Sequence, residues 1–277
     1  MELLILLSPF KEKSLSVVTI RELLDAGAHF GHKSSKWNPK MGPYIIKKKN
    51  KIHIINLKET VKAMAQAYHF LKSMATQGKS ILFVGTRRQS SSVVKEHAER
   101  CGMPYINYRW IGGFLTNRDV VLERINKYYD LLELEKSTEF ESFSKKQIAR
   151  HNREKEKILK NMAGVMDMDG IPDVILVVGL WYEDIAVREA AKMGIPVIAV
   201  GDTDANPEIV DCCIPGNDES FRSISLILGK LTDGIIQGKQ ELEATQQTAA
   251  SFGPDKAAGP QEEETAAEET VAEETGD

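Results

Sequence analysis

Between Lys51 and Gln237 short β-branched runs alternate with longer amphipathic stretches, the pattern of βαβ units wound around a parallel sheet. His53 to Ile55 reads as the first strand. Asn56 with Glu59 is a capping arrangement that opens a helix from Leu57 to about Thr76, stopped by Gly78. A second cycle follows as strand Ser80 to Val84, turn Gly85 to Arg88 and helix Ser90 to Arg100, ended by Gly102 and Pro104. Tyr105 to Asn107 is a third strand. Val174 to Val178 is continuously apolar, as a strand buried on both faces must be, and Val197 to Val200 after Gly194-Ile195-Pro196 is the fifth. The helix between them is Ile185 to Lys192, and a closing helix runs from about Phe221 to Gln237. The expected fold is a three-layer α/β sandwich.

Two segments break the alternation. Asn117 to Glu135 and Ser144 to Met162 are consecutive charged helical patterns with no strand between them, which predicts a helical hairpin inserted at about residues 117–163. Its second arm carries Lys145, Lys146, Arg150, Arg153, Lys155, Lys157 and Lys160. After Gly238 the chain is rich in Ala, Thr and Glu and poor in large apolar residues, so residues 238–277 are expected to form a disordered acidic tail.

Charge sharpens this division. The formal net charge is −4, but Lys239 to Asp277 holds eleven acidic and two basic residues, which leaves residues 1–238 at +5. With 42% apolar residues the body can bury a substantial core. No apolar run approaches the roughly 20 residues needed to span a bilayer. Leu3 to Leu7 is too short for a signal core, so residues 1–16 are read as a loose N-terminal extension. Cys101, Cys212 and Cys213 form no CxxC pair, consistent with reduced thiols in a cytosolic setting.

A doubly wound sheet invites an enzyme reading, with a nucleotide or sugar phosphate at the turn Gly85-Thr86-Arg87-Arg88-Gln89. That turn has neither GxGxxG nor GxxxxGK[ST] spacing, and no GxSxG, HExxH or EF-hand pattern occurs. His29 and His32 lie three apart, and His32 with Asp184 or Asp202 would be the zinc candidates. Otherwise no cofactor is expected.

Nucleic-acid binding has the stronger signal. From Lys33 to Lys62 there are nine lysines and one acidic residue, Glu59, with Trp37, Asn38, Tyr44 and His53 interleaved. Lysines neutralise phosphates with release of counterions, and aromatic rings can stack on bases. Lys47, Lys48, Lys49 and Lys51 flank a predicted β-hairpin turn at Asn50. A second basic site gathers Arg87 and Arg88 with Arg109, Trp110 and Arg118 at strand ends that share one sheet edge. The candidate backbone contacts are Lys33, Lys36, Lys40, Lys47, Lys48, Lys49, Arg87, Arg88, Arg109 and Arg118, with His32, Trp37, Asn38 and Asn117 shaping the loops.

Several strings in register closely resemble the small-subunit ribosomal protein S-two family of bacterial type. They are Ala28-His29-Phe30-Gly31-His32, Trp37-Asn38-Pro39-Lys40-Met41, Pro43-Tyr44-Ile45, Lys51-Ile52-His53-Ile54-Ile55-Asn56-Leu57, Phe83-Val84-Gly85-Thr86-Arg87-Arg88-Gln89, the run Arg109 to Asn117, and Ile214-Pro215-Gly216-Asn217-Asp218. The resemblance covers about Val17 to Gln237, and residues 17–237 are taken as one rRNA-binding domain. It implies a flavodoxin-like parallel sheet with a protruding coiled-coil hairpin and no catalysis. It also implies a ribosome-bound, cytoplasmic protein that contacts small-subunit rRNA and neighbouring ribosomal proteins, with ribosomal protein S-one as a docking partner and no membrane contact. A zinc ion is described in some relatives, with His32 and a loop aspartate as the candidates here. Two departures fall at one edge: Gly179-Leu180-Trp181 stands where relatives usually carry an Asp after the strand, and Asp204 where they carry Asn.

Overall fold

The computed structural model describes residues 17–137, 140, 142–168 and 170–251. The expected N-terminal extension and most of the acidic tail lie outside the described residues. Among the described residues the strands form two sheets. The chain opens with helix α1 (Ile20–Asp25), held by a capping box between Thr19 and Glu22, and strand β1 (Phe30–Lys33). A 3₁₀ turn (Pro39–Tyr44) leads into β2 (Ile45–Lys49) and β3 (Ile52–Ile55). These three strands make an antiparallel sheet of order β1-β3-β2. The Asn50 hairpin is present, with Asn50 and Lys51 both left-handed at φ 50° and 63°, the twist that a two-residue hairpin loop needs.

Helix α2 (Leu57–Thr76) begins where Asn56 accepts the Lys58 N–H. The parallel sheet then follows as β4 (Ile81–Val84), α3 (Ser91–Cys101), β5 (Tyr105–Ile106), α4 (Arg118–Lys136), α5 (Lys145–Met162), β6 (Val174–Val178), α6 (Asp184–Met193), β7 (Val197–Gly201), β8 (Cys212–Pro215) and α7 (Phe221–Ser251). Its strand order is β5-β4-β6-β7-β8, the 2-1-3-4-5 order compatible with a flavodoxin-like fold.

Alternation along the strands builds the layers. Ile81 and Phe83 pack with helices α2, α3 and α7, whereas Leu82 and Val84 pack with α6, Trp110, Phe114 and the roots of α4 and α5. Val174, Leu176 and Val178 likewise take the first side, and Ile175 and Val177 the second. Every residue of β4, β6 and β7 is buried, which is why these runs carry no polar positions.

Two strand assignments from sequence need correction. His53 to Ile55 belongs to the small antiparallel sheet, because the tight Asn50-Lys51 turn returns it onto Ile45–Lys49 before any crossover is possible. The fifth parallel strand is Cys212–Pro215, which the sequence hides as a short edge strand ending in Pro and running into a Gly-Asn loop.

The closing helix also runs past Gln237 to Ser251. Gly238 is not a stop but a crossing point, since a Cβ there would lie 2.4 Å from the Lys72 carbonyl oxygen of α2 and 2.8 Å from the Ala75 Cβ. One turn earlier, a Cβ on Gly234 would lie 2.8 Å from the Tyr68 ring. Lys239 Nζ then donates to the carbonyls of Cys101 and Gly102 at 2.7 and 3.1 Å. The first compact unit ends at Leu242, and the described part of the second, from Glu243, is helical to Ser251.

Helices α4 and α5 are joined by ion pairs of Lys127 with Glu154 and of Glu135 with Lys155. Between them His151 is buried, its Nε2 3.1 Å from the Leu131 carbonyl and its ring 5.1 Å from that of Phe140. Among the described residues no helix is long and apolar enough to cross a membrane.

Candidate nucleic-acid interface

The lysine-rich stretch is an exposed edge. On β2, Ile46 and Lys47 to Lys49 are all exposed, and the register sets Lys47 opposite Ile54, Lys48 opposite His53 and Lys49 opposite Ile52. On the other edge Phe30 faces Ile54 and Lys33 faces Ile52. Lys40, Lys62 and Lys79 have carboxylate partners, Lys40 on Glu208, but among the described residues Lys33, Lys36, Lys47, Lys48, Lys49 and Lys51 form no ion pair. The residues interleaved with them, Trp37 and Asn38, make contacts within the fold. Trp37 lies over buried His53 at 5.3 Å between ring centres, and Asn38 caps the 3₁₀ turn by accepting the Lys40 N–H while donating its own to the Thr203 carbonyl at 2.9 Å.

At the carboxyl edge of the parallel sheet the expected basic residues divide into two kinds. Arg88 and Arg109 are exposed and, among the described residues, form no ion pair. Arg87 is clamped, donating from Nη1 to Asp218 and from Nη2 to Glu219, both at 2.9 Å, with Tyr182 under its guanidinium at 4.5 Å. Arg118 donates to the Met168 carbonyl at 3.0 Å and lies over the Phe114 ring. Trp110 is buried in the core, its Nε1–H directed to Glu189 at 3.3 Å. Glu189 also accepts the N–H groups of Gly113 and Leu115, at 2.7 and 3.1 Å, so one carboxylate from α6 shapes the whole loop. Gly113 has φ 85° and accepts the N–H of exposed Asn117 at 2.7 Å, a bend that suits glycine.

Sequence reasoning missed these carboxylates because each lies about 30 or more residues from its partners in the chain. The same applies to Glu183, which is buried and accepts both the N–H and the hydroxyl of Thr86 at 2.7 Å. Burial pushes the Glu183 carboxyl above its ordinary value. The turn where a nucleotide phosphate would rest thus has its Gly85 N–H on the Ile106 carbonyl and its Thr86 N–H taken by a carboxylate. Its Gly85 is pressed on Val94, whose Cγ2 would be 2.8 Å from an added Cβ.

His32 joins this acidic edge rather than the lysine surface. A bulge in β1 places Gly31 and His32 opposite the single residue His53. The His32 N–H donates to Thr203 Oγ1 at 2.9 Å. Its Nδ1 is 2.7 Å from Asp202, and its Nε2 is 3.2 Å from Glu219 and 3.7 Å from Asp204. The Asp202 hydrogen bond raises His32 to about 9, so the ring is cationic at neutral pH. Burial pushes Asp218 up to about 7 against the pull of Arg87. His32, Asp202 and Asp218 have potential ligand atoms within 4.8 Å of one another, whereas Asp184 pairs with Arg188 at 2.8 Å. Arg87 pairs with Asp218 and Glu219, and His32 with Asp202, but among the described residues Asp204 Oδ1 is buried with no hydrogen-bond partner, and a metal on this cluster would replace the His32 proton and compete with Arg87 for Asp218.

The comparisons agree with the motifs. Residues 23–238 match the family model described as Ribosomal protein S2. The protein named small ribosomal subunit protein uS2 of Coprothermobacter proteolyticus is 47% identical over 226 residues, 82% of this chain and 84% of that one. Small ribosomal subunit protein uS2c of Rhodomonas salina is 48% identical over 224 residues, 81% of this chain and 92% of that protein. A match that runs from α1 through both sheets into α7, with relatives near half identical over most of their length, means that the chain belongs to the ribosomal protein S2 family.

Proposed function

We propose that the chain is a structural, non-catalytic component of the small ribosomal subunit that binds rRNA backbone, as the names of its relatives suggest. The observation that carries the reading is the row of cations at Lys33, Lys36 and Lys47 to Lys49 that form no ion pair among the described residues, on a body whose other basic residues often have carboxylate partners. Exposed lysines on a rigid hairpin exchange counterions for phosphates at little conformational cost. Arg88 and Arg109 are the second contact, while Arg87, Arg118, Trp37, Asn38, Asn117 and His32 position the loops that carry them. Lys40 is held by Glu208 and is available to phosphate only by exchange.

In this reading α4 and α5 act as a coiled-coil hairpin, with Lys145, Lys146, Arg150 and Arg153 offering further positive charge. Protein partners dock elsewhere. Trp181, Tyr182 and Ile185 are 61%, 56% and 58% exposed beside an open cleft of about 370 Å³. That is the place for ribosomal protein S-one or a subunit neighbour. In this reading the protein is ribosome-bound in the cytoplasm and binds RNA without a cofactor, and His32 with Asp202 and Asp218 is where a zinc ion would sit if one binds. The enzyme alternative would need a phosphate at Gly85 to Gln89, where Glu183, Asp218 and Glu219 oppose it.

The test is sedimentation of a lysate through sucrose at high and low magnesium. The protein is expected to travel with small subunits. Its staying at the top under conditions that keep subunits intact would refute the reading.

A further inference from the structure

We propose that the outer face of the three-stranded sheet is a stacking platform for an unpaired RNA base, with Phe30 as the stacking surface and Lys33, Lys47 and Lys49 holding the flanking phosphates. The inference rests on the RNA-binding reading above and names the part of the RNA that this surface takes.

The register builds the platform. Residues directly opposite in an antiparallel pair project from the same face, so Phe30, Ile54 and Lys47 form one row and Lys33, Ile52 and Lys49 the next. Ile52 and Ile54, two apart on β3, keep the rows on one side. That side is outward. A Cβ on Gly31 would lie 2.5 Å from Thr203 Cγ2, so the body of the protein is on the Gly31 side, and Phe30 points away from it. Phe30 is 48% exposed, Ile52 and Ile54 are half-buried, and His53 on the opposite face is buried. His29 contacts the Phe30 ring at 3.9 Å between centres and fixes its tilt.

The result is an aromatic ring on an aliphatic strip, rimmed by three cations that have no acidic partner among the described residues. A neutral or basic peptide would find apolar contact there but nothing to match the charge, and even an acidic one lacks the flat π-face that each nucleotide brings. An RNA strand matches both, since every base has a π-face and every linkage a phosphate. A duplex cannot, because its bases are already stacked inside. The occupant is therefore a splayed or bulged nucleotide.

The test uses the full chain and two probes, a short single-stranded RNA with one 2-aminopurine and a blunt RNA duplex of similar length. Wild type should quench the 2-aminopurine. Phe30→Leu should weaken affinity for the single strand on the order of fivefold or more, the effect of removing one stacked base, while Phe30→Trp retains it. The salt slope should not move, since every lysine that meets a phosphate is still in place. Duplex affinity should not change.

A silent Phe30→Leu overturns the platform. If Lys47→Gln with Lys49→Gln still weakens both probes, the phosphate reading stands and only the platform has failed. If these lysine changes are silent too, both readings fail at this surface. A Phe30→Leu chain that binds both RNAs normally but no longer joins small subunits shows a protein occupant, which also overturns it.

Discussion

The guanidinium of Arg87 meets the carboxylate of Asp218 at 2.9 Å, with side-chain exposures of 12% and 2%. An arginine that reads as a free phosphate ligand in sequence is thus a structural cation. Replacing it by Leu leaves Asp218 buried without its partner, a change that costs about 3 kcal/mol. Asp218 already sits at about 7 and rises further without the cation, so acid neutralises it. Urea unfolding should show the Arg87→Leu deficit larger at pH about 8 than at pH about 5.

The lysines of the hairpin should behave in the opposite way. Changing Lys47, Lys48 and Lys49 together to Gln should alter stability by less than about 1 kcal/mol, because each is exposed and forms no ion pair among the described residues. RNA affinity should fall, and the log–log salt slope should flatten by about 0.7 to 0.9 for each phosphate that is no longer neutralised. Filter binding across a salt series would measure it, and an unchanged slope would assign these lysines to solubility.

Glu189 tests how the loop with Arg109 is held. Glu189→Ala strands the Trp110 Nε1–H and the N–H groups of Gly113 and Leu115 together. The expected loss is about 2 to 3 kcal/mol, the cost of buried donors left without a charged acceptor. Trp110 fluorescence should shift to the red, and RNA affinity should drop although Glu189 touches no RNA.

His97 gives a pH dependence. It is buried, with neither ring nitrogen hydrogen-bonded among the described residues, and burial holds its pKa below the ordinary value. A folded pKa below the unfolded one means that the unfolded chain takes the proton more readily, so stability falls as pH drops below about 6.5. The His97→Leu variant lacks that titration. Thermal melts should show wild type losing ground to the variant between pH about 7 and 5, and parallel curves would disprove it.

Elements whose hydrophobic period is long were legible: Leu57–Thr76 and Val174–Val178 occur where the pattern puts them. The short strands Ile81–Val84 and Tyr105–Ile106 were also read, but the edge strand Cys212–Pro215 was not, because its four residues carry too little pattern to outweigh a neighbouring Pro-Gly. The lysine surface was visible because it is contiguous in the chain. The acidic edge was not, since His32, Asp202 and Asp218 come together only through the crossovers of the parallel sheet. Arg87 and Arg88 show the limit of local reading most plainly, as adjacent identical residues of which one is ion-paired inside the fold and the other exposed.

The bulge at Gly31 and His32 has a bearing on when this protein becomes competent. The small sheet, near the amino terminus, is anchored by His32 to Thr203, by Asn38 to the Thr203 carbonyl, and by the Ala28 carbonyl to the Asn217 N–H. None of these anchors is complete until the ribosome making the chain has emitted Thr203 and Asn217. The lysine surface is synthesised first and immobilised last, so a nascent chain holds only a floppy polycation, and rigid presentation of that surface certifies that the whole domain has been made.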